Sequence, residues 1–331
     1  MTSTESGEDR LIARYFAPLA RHPGAFGLGD DAAILTPPEG HDVVLKADAI
    51  IGGVHFFPDD PAHAIARKAL RVNLSDLAAK GAEPAGFLLS LALPDAMAED
   101  WLAAFAAGLA ADAEHYGCPL MGGDTDKTPG PAVIAIAAFG LVPRGTLVRR
   151  KGARAGEAIV VTGTIGDASL GLRLRRDANA AARWALGAGE RDHLARRYLL
   201  PEPRNAIASV VRAQASAAMD ISDGLAGDSA KLARASGVSV EIDIARVPLS
   251  EAARRALRAE PALLEAALTG GDDYEILCTM APDQVASFRT AAAAAGVATT
   301  EIGRIGAGEG TRFLDEAGQA VAFARASYSH F

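Results

Sequence analysis

The sequence predicts a mixed α/β (α+β) protein built from two domains. Three observations carry that expectation. Apolar runs of strand length alternate with helix-spaced amphipathic stretches in both halves of the chain. The 331 residues suffice for two domains with ample buried core. Between the halves, the stretch from Pro143-Arg144-Gly145 to Gly156 is basic, glycine-bearing and weakly periodic. That places a junction there, with domains at 1–148 and 149–331.

In the first half, Leu11, Ile12, Tyr15, Phe16 and Leu19 recur at helical spacing. Residues 42–48 form a short apolar strand, and 65–80 a helix with Leu70, Leu74 and Leu77 on one face. A strand over 87–93 ends at Pro94, an Ala-rich helix covers 98–116, and a short strand leads into Gly122-Gly123. The run 132–142 is β-branched enough to be a buried strand. In the second half, 158–162 is a strand and Gly163 to Asp167 a turn into a helix. Residues 173–200 are helical, interrupted near Gly187 to Gly189. A strand over 217–221 runs into Ser222-Asp223-Gly224 and a helix ending at Ser236. Later strands fall at 238–244, 274–279 and 299–305. There is no short tandem repeat.

Asp residues recur in Gly- and Ser-flanked clusters at the ends of these elements. They are Gly29-Asp30-Asp31, Lys46-Ala47-Asp48, Asn73-Leu74-Ser75-Asp76, Gly122-Gly123-Asp124-Thr125, Asp220-Ile221-Ser222-Asp223-Gly224 and Gly270-Gly271-Asp272-Asp273. A buried Asp is costly unless it is paired or holds a metal. Six such clusters predict a convergent carboxylate cage, and hard oxygen donors suit Mg²⁺, which in turn suits phosphates. The reading is a Mg²⁺-dependent phosphoryl-transfer enzyme.

Four of these clusters also have a plainer structural explanation. Gly27-Leu28-Gly29-Asp30-Asp31-Ala32 formally matches a dinucleotide fingerprint, but no strand precedes it and two carboxylates would repel a pyrophosphate. Asp30 can cap an Asx turn, which leaves Asp31 for metal. Asp76 can pair with Lys80 four residues on, although Asn73 and Asp76 also project to one side. Gly122-Gly123 can open a hairpin turn or let backbone approach a ligand. Asp223 is a natural N-cap for the following helix, whereas Asp220 has no such use. His55, beside Phe56 and Phe57, fits a packed loop residue or a ligand contact.

Composition narrows the classes. A net charge of −8 argues against a nucleic-acid partner. No apolar run reaches the ~18 residues of a membrane span. Only Cys118 and Cys278 are present, and the polar start Met1-Thr2-Ser3 lacks a signal layout, so the expectation is a cytoplasmic protein without disulfides. The Walker A pattern and the protein-kinase signatures are absent.

Taken in order, the clusters resemble the thiamine-monophosphate kinase family, whose fold is shared with aminoimidazole ribonucleotide synthetase and selenophosphate synthetase. The resemblance runs from Leu11-Ile12-Ala13-Arg14-Tyr15-Phe16 to Tyr328-Ser329-His330-Phe331, through Gly53-Val54-His55-Phe56, Val161-Thr162-Gly163-Thr164 and Gly270-Gly271-Asp272-Asp273-Tyr274-Glu275. It implies an N-terminal sheet domain that dimerises and binds ATP and metal, with a C-terminal α/β domain. It implies transfer of the ATP γ-phosphoryl group to thiamine monophosphate, giving thiamine diphosphate and ADP. By the same resemblance Asp31, Asp48, Asp76, Asp124, Asp220 and Asp223 hold several Mg²⁺ ions. Gly123, Asp124, Arg150, Ser222 and Tyr116 match ATP contacts, and His55, Asp272 and Tyr328 match acceptor contacts. No general base is nominated, because the acceptor is already an anionic phosphate.

Three features depart from the family pattern. Lys46-Ala47 stands where Ser/Thr-Thr is usual, Asp272 where Glu is usual, and Tyr328 where Trp or Phe is frequent. The competing readings are another ATP-using enzyme of this fold and a non-catalytic nucleotide- or thiamine-binding protein. Selenophosphate synthetase is disfavoured because the first 40 residues contain neither Cys nor Lys.

Overall fold

The computed structural model describes residues 7–94 and 97–324. The chain divides into one unit of Met1–Leu77 with Glu83–Gly145 and a second of Ala78–Ala82 with Thr146–Phe331. The fold class is the mixed α/β one that the sequence predicts.

The first unit contains α1 (Gly7–Leu11), β1 (His41–Ile51), α2 (Ala62–Ala79), β2 (Glu83–Pro94), α3 (Glu99–His115), β3 (Leu120–Thr128) and β4 (Val133–Pro143). The helical pattern at 11–19 is realised as a π-helical turn, Ile12–Phe16, and a 3₁₀ turn, Ala17–Leu19, not as one regular helix. The strands form one sheet in the order β1-β4-β2-β3, with β2 and β3 parallel and the other pairs antiparallel. Ile134, Ile136, Ala138, Gly140 and Val142 of β4 are buried while the residues between them are half-buried, as period-2 alternation requires. The other face stays apolar: Val43 stands opposite Leu141, and Leu45 opposite Phe139. Val43 and Leu45 are 38% and 73% exposed.

Helices α2 and α3 are joined by buried charge. Arg67 and Arg71 both donate to Asp112, which has no exposed surface, through N–O distances of 2.9 Å from Arg67 Nε and Arg71 Nη2. Removing one partner of such a pair typically costs about 3–5 kcal/mol, because the remaining charge is left buried.

The second unit contains β5 (Ala158–Thr162), α4 (Asp167–Arg176), α5 (Ala180–Arg183), α6 (Ala188–Leu199), α7 (Ala208–Gln214), β6 (Ala217–Asp220), α8 (Leu225–Ser236), β7 (Ser239–Asp243), α9 (Glu251–Ala259), α10 (Leu263–Thr269), β8 (Ile276–Met280), α11 (Val285–Ala294), β9 (Thr299–Gly306), β10 (Gly310–Leu314) and β11 (Ala320–Val321). Its seven strands run in the order β11-β10-β7-β9-β5-β8-β6, with only β7 and β10 parallel. Strand β5 reads Ala-Ile-Val-Val-Thr without polar alternation because it is covered on both sides. Ile159 and Val161 pack with Leu225, Leu232 and Leu277 on one side. Val160 packs with Val211, Cys278 and Phe288 on the other.

Both thiols lie in these cores, Cys118 in the first unit and Cys278 in the second. Burial pushes each up to about 12, so neither is a thiolate nucleophile at neutral pH.

The start of α4 is fixed by carboxylates. Asp273 accepts the Gly166 and Ala168 N–H groups at 2.7 and 3.3 Å, orphan donors of a helix N-terminus. Asp167 accepts from Thr164 Oγ1 at 2.6 Å, Ser250 Oγ at 2.5 Å and His193 Nε2 at 2.9 Å. Burial pushes the Asp167 carboxyl up, but hydrogen bonds from His193, Ser250 and Thr164 outweigh it and hold it below its ordinary value. A carboxyl depressed in the folded state contributes stability above its unfolded pKa, and that contribution fades as pH falls through the folded value. Asp167→Asn should therefore cost about 1–3 kcal/mol at neutral pH, with the difference shrinking on acidification to about pH 3. Thermal melts of the two proteins across this range check it; a pH-independent gap would show that the charge of Asp167 is irrelevant.

Candidate functional site

Alternation along β1 puts Lys46 and Asp48 on the same face of the strand. The Lys46 Nζ lies 3.0 Å from Asp48 Oδ2 and 2.8 Å from Asp76 Oδ2 of α2. Burial pushes the Lys46 ammonium down, yet attraction and hydrogen bonding from Asp76 and Asp48 outweigh it and raise its pKa. Beside this cluster Asn73, fully buried, accepts the Asp48 N–H at 2.9 Å and donates to Ala69 O at 3.0 Å. Asn73 thus ties strand to helix, while Asp76 at i+3 carries the charge. The alternative pairing of Asp76 with Lys80 does not form: Lys80 Nζ donates to Ala218 O at 2.6 Å.

The 122–125 cluster sits inside β3 rather than in a turn after a strand. Gly123 stands opposite Leu89, where an added Cβ would fall 1.8 Å from the Leu89 carbonyl oxygen. The glycine is required first for the approach of β2 and β3. A cavity of about 850 Å³ in this unit is lined at its polar end by Asp30, Asp31, Gly123 and Asp124, and elsewhere by apolar groups such as Phe16 and Phe139. Asp30 Oδ1 accepts the Asp31 N–H at 2.8 Å, the predicted cap, and leaves the Asp31 carboxylate exposed.

His55 is half-buried and its Nδ1 accepts the Ile51 N–H at 3.0 Å, so that nitrogen carries no proton. Tyr116 follows α3, with the Arg71 guanidinium 5.6 Å above its ring.

In the second unit Asp220 ends β6 and is buried. The turn after it is not capped by Asp223. Gly224, at φ 101°, occupies the N-cap of α8 and makes no side-chain bond there. Instead Asp228, one turn into α8 and fully buried, accepts the Ser222 and Asp223 N–H groups at 3.0 and 2.9 Å. Lys231 donates to Asp228 at 2.7 Å and also pairs with the Asp223 carboxylate. A carboxylate deeper in the helix replaces the expected cap because it can serve both N–H groups and still be neutralised.

The 270–275 segment runs beside this turn. Asp272 N–H donates to Ser222 O at 2.9 Å, Tyr274 N–H to Ile221 O at 2.8 Å, and Ile221 N–H to Glu275 O at 2.8 Å. Asp272 and Tyr274 adopt φ of 72° and 52°, a region that non-glycine residues enter at a cost of about 1–3 kcal/mol. Arg150 is exposed, and its carbonyl accepts from Ser236 Oγ at 3.3 Å.

Nine of the predicted site residues thus gather in three groups, and His55, Tyr116 and Arg150 are placed in none of them. Asp48 and Asp76 meet on Lys46; Asp31, Gly123 and Asp124 share a cavity; Asp220, Ser222, Asp223 and Asp272 lie on two adjoining segments. Tyr328 lies outside the described residues. Among the described residues no group of three or more His, Cys, Asp or Glu side chains is placed so that it could hold a metal ion. Sequence reasoning missed Asp228 and Lys231, for which the spacing Asp223-x₄-Asp228-x₂-Lys231 was the available signal; Asp273, read as part of an acidic cluster, instead closes the start of α4.

Two family descriptions match this architecture: AIR synthase related protein, N-terminal domain, over residues 29–142, and AIR synthase related protein, C-terminal domain, over residues 154–316. The thiamine-monophosphate kinase of Caulobacter vibrioides is 43% identical over 303 residues, 90% of this chain and 84% of that protein. A crystal structure of thiamine-monophosphate kinase from Stenotrophomonas maltophilia superposes with a TM-score of 0.82 at 39% identity, covering 95% and 96% of the two chains. AaThiL complexed with AMPPCP and TMP gives a TM-score of 0.77 at 32% identity, covering 92% and 91%. The chain belongs to the AIR synthase-related family and, within it, to the thiamine-monophosphate kinases, which are phosphotransferases.

Proposed function

We propose that this chain transfers the γ-phosphoryl group of ATP to thiamine monophosphate, giving ADP and thiamine diphosphate, in a Mg²⁺-dependent reaction. The observation that carries this reading is its likeness over nine-tenths of its length to the kinase complexed with AMPPCP and TMP. The net charge of −8 adds a physical requirement: an acidic protein that binds two phosphate-bearing ligands must place cations between.

The donor chemistry fits Mg²⁺, since every candidate is a carboxylate oxygen. Asp31 and Asp124 would hold ions at the polar end of the first unit's cavity, and Asp220 and Asp223 on the second unit. Asp48 and Asp76 belong to the same set, although their facing oxygens are taken by Lys46. Bound Mg²⁺ would neutralise the polyphosphate and orient it. Gly123, Asp124, Arg150, Ser222 and Tyr116 are assigned to ATP, and His55, Asp272 and Tyr328 to the acceptor. The chain's own contribution is to position two anions in line, with no group acting as a general base.

ADP release that depends on thiamine monophosphate, with thiamine diphosphate as the product, tests the assignment directly. Release without thiamine monophosphate would favour another reaction of this fold, and binding without turnover a non-catalytic role. Asp124→Asn should lower turnover at least about a hundredfold with the fold retained, and excess chelator should stop the native protein; near-normal activity in either case would sink the metal reading.

Asp272→Ala should weaken acceptor use about ten- to a hundredfold, with ATP affinity little changed. Equal loss for both ligands, in steady-state kinetics, would mean that Asp272 serves the nucleotide as well.

We further assign a homodimer and a cytoplasmic location. The exposed apolar face around Val43 and Leu45 supports the dimer, since a contiguous patch of this kind calls for a cover. Among the described residues no helix is long and apolar enough to cross a membrane. A dimer mass by sedimentation at micromolar concentration is expected; a monomer there would remove the assignment.

A further inference from the structure

The carboxylates of Asp48 and Asp76 are held from two directions. Asp48 is fixed through its own N–H, which donates to buried Asn73, and Asp76 projects from the same helix three residues later. The two side chains therefore face each other across a gap set by the packing of β1 on α2. That gap contains the Lys46 ammonium, 3.0 Å from one Oδ2 and 2.8 Å from the other. Lys46 reaches it from two residues before Asp48, and its side chain is 26% exposed, so it is not a solvated surface lysine.

A divalent ion shared by these oxygens would need contacts of about 2.0–2.1 Å for Mg²⁺. It would then compete with Nζ for the same two acceptors and stand within a few ångströms of its charge. While Nζ bridges the two Oδ2 atoms, a divalent ion cannot bridge those same two oxygens. The lysine also differs from a metal in kind: it brings one positive charge, three donors and no open coordination position.

We propose that Lys46 is a resident cation of the Asp48–Asp76 pair, standing in place of one divalent ion. The chain thus holds one divalent ion fewer than its aspartates would recruit without it. This rests on the reading that the first unit's aspartates serve divalent cations. It adds that at this pair the cation is covalently part of the chain, and so is not removable by a chelator.

The test is Mn²⁺ binding by the full chain, followed by the electron paramagnetic resonance signal of free Mn²⁺, with and without AMPPCP. Lys46→Met should bind one more Mn²⁺ per chain than the native protein, or bind its last ion at least tenfold more tightly. Lys46→Arg keeps the charge and should match the native count. The double variant Lys46→Met, Asp76→Asn should lose the added ion. If Lys46→Met does not fold, Lys46→Gln offers the same comparison, with thermal melts reporting integrity. Equal Mn²⁺ counts and affinities in native and charge-removed proteins would overturn the proposal, as would an added ion that survives loss of the Asp76 charge. A native chain that binds no Mn²⁺ even with AMPPCP, while Lys46→Met gains an ion, would refute the Mg²⁺-dependent function and leave the lysine's role standing.

Discussion

Glu275 has no exposed surface, yet its two oxygens accept from Thr162 Oγ1 at 2.6 Å, Arg197 Nη2 at 2.8 Å and Arg204 Nε at 2.7 Å. Its carbonyl accepts the Ile221 N–H, and its neighbour Asp273 closes the start of α4. Burial drives Asp273 well above its ordinary range, which shows how much that position resists carrying charge. One compensated acid therefore joins β5, α6 and the two segments that carry Asp220, Ser222 and Asp272. If Glu275 lost its arginines, an uncompensated charge would lie beneath those segments, at a cost of about 3–5 kcal/mol.

The two units solve a shared problem with the same device. In each, a lysine bridges two aspartates: Lys46 between Asp48 and Asp76, Lys231 between Asp223 and Asp228. The surroundings differ. Asp228 is fully buried and uses its other oxygen to shape a turn, so Lys231 serves architecture as well as charge. Asp48 is tied to α2 through its own N–H, while its carboxylate pairs with Lys46 and is partly open toward solvent.

Much of this was legible in the sequence where one local rule governs. Strand β5 and helix α8 are readable because an unbroken apolar run and a glycine-led amphipathic stretch have few other uses. Asp residues at element ends drew notice because burying an acid is costly, and several of them do gather. What was not legible depends on partners distant in sequence. Lys80 was close enough to suit Asp76, but Lys46 reached it from another element. Gly123 looked like a turn glycine because the carbonyl of Leu89 that excludes a side chain lies on a neighbouring strand. Helix α9 carried its mark in Ser250, whose Oγ accepts the Ala253 N–H at 3.0 Å, but short Ala- and Arg-rich stretches are easily taken for loop. Strand β10, Gly310-Thr311-Arg312-Phe313-Leu314, has no unbroken apolar run to mark it, and β11 is two residues long.

The two thiols give the chain an unplanned pair of internal reporters. Cys118 belongs to one unit and Cys278 to the other, each sealed in its own core and protonated at neutral pH. An alkylating reagent can reach either only when the surrounding core opens. Peptide mapping of the modified sulfurs over time would therefore separate the breathing of the two units within one unmodified molecule. The same concealment spares these two thiols from oxidation while the protein remains folded, so their oxidation would report prior opening of the core around them.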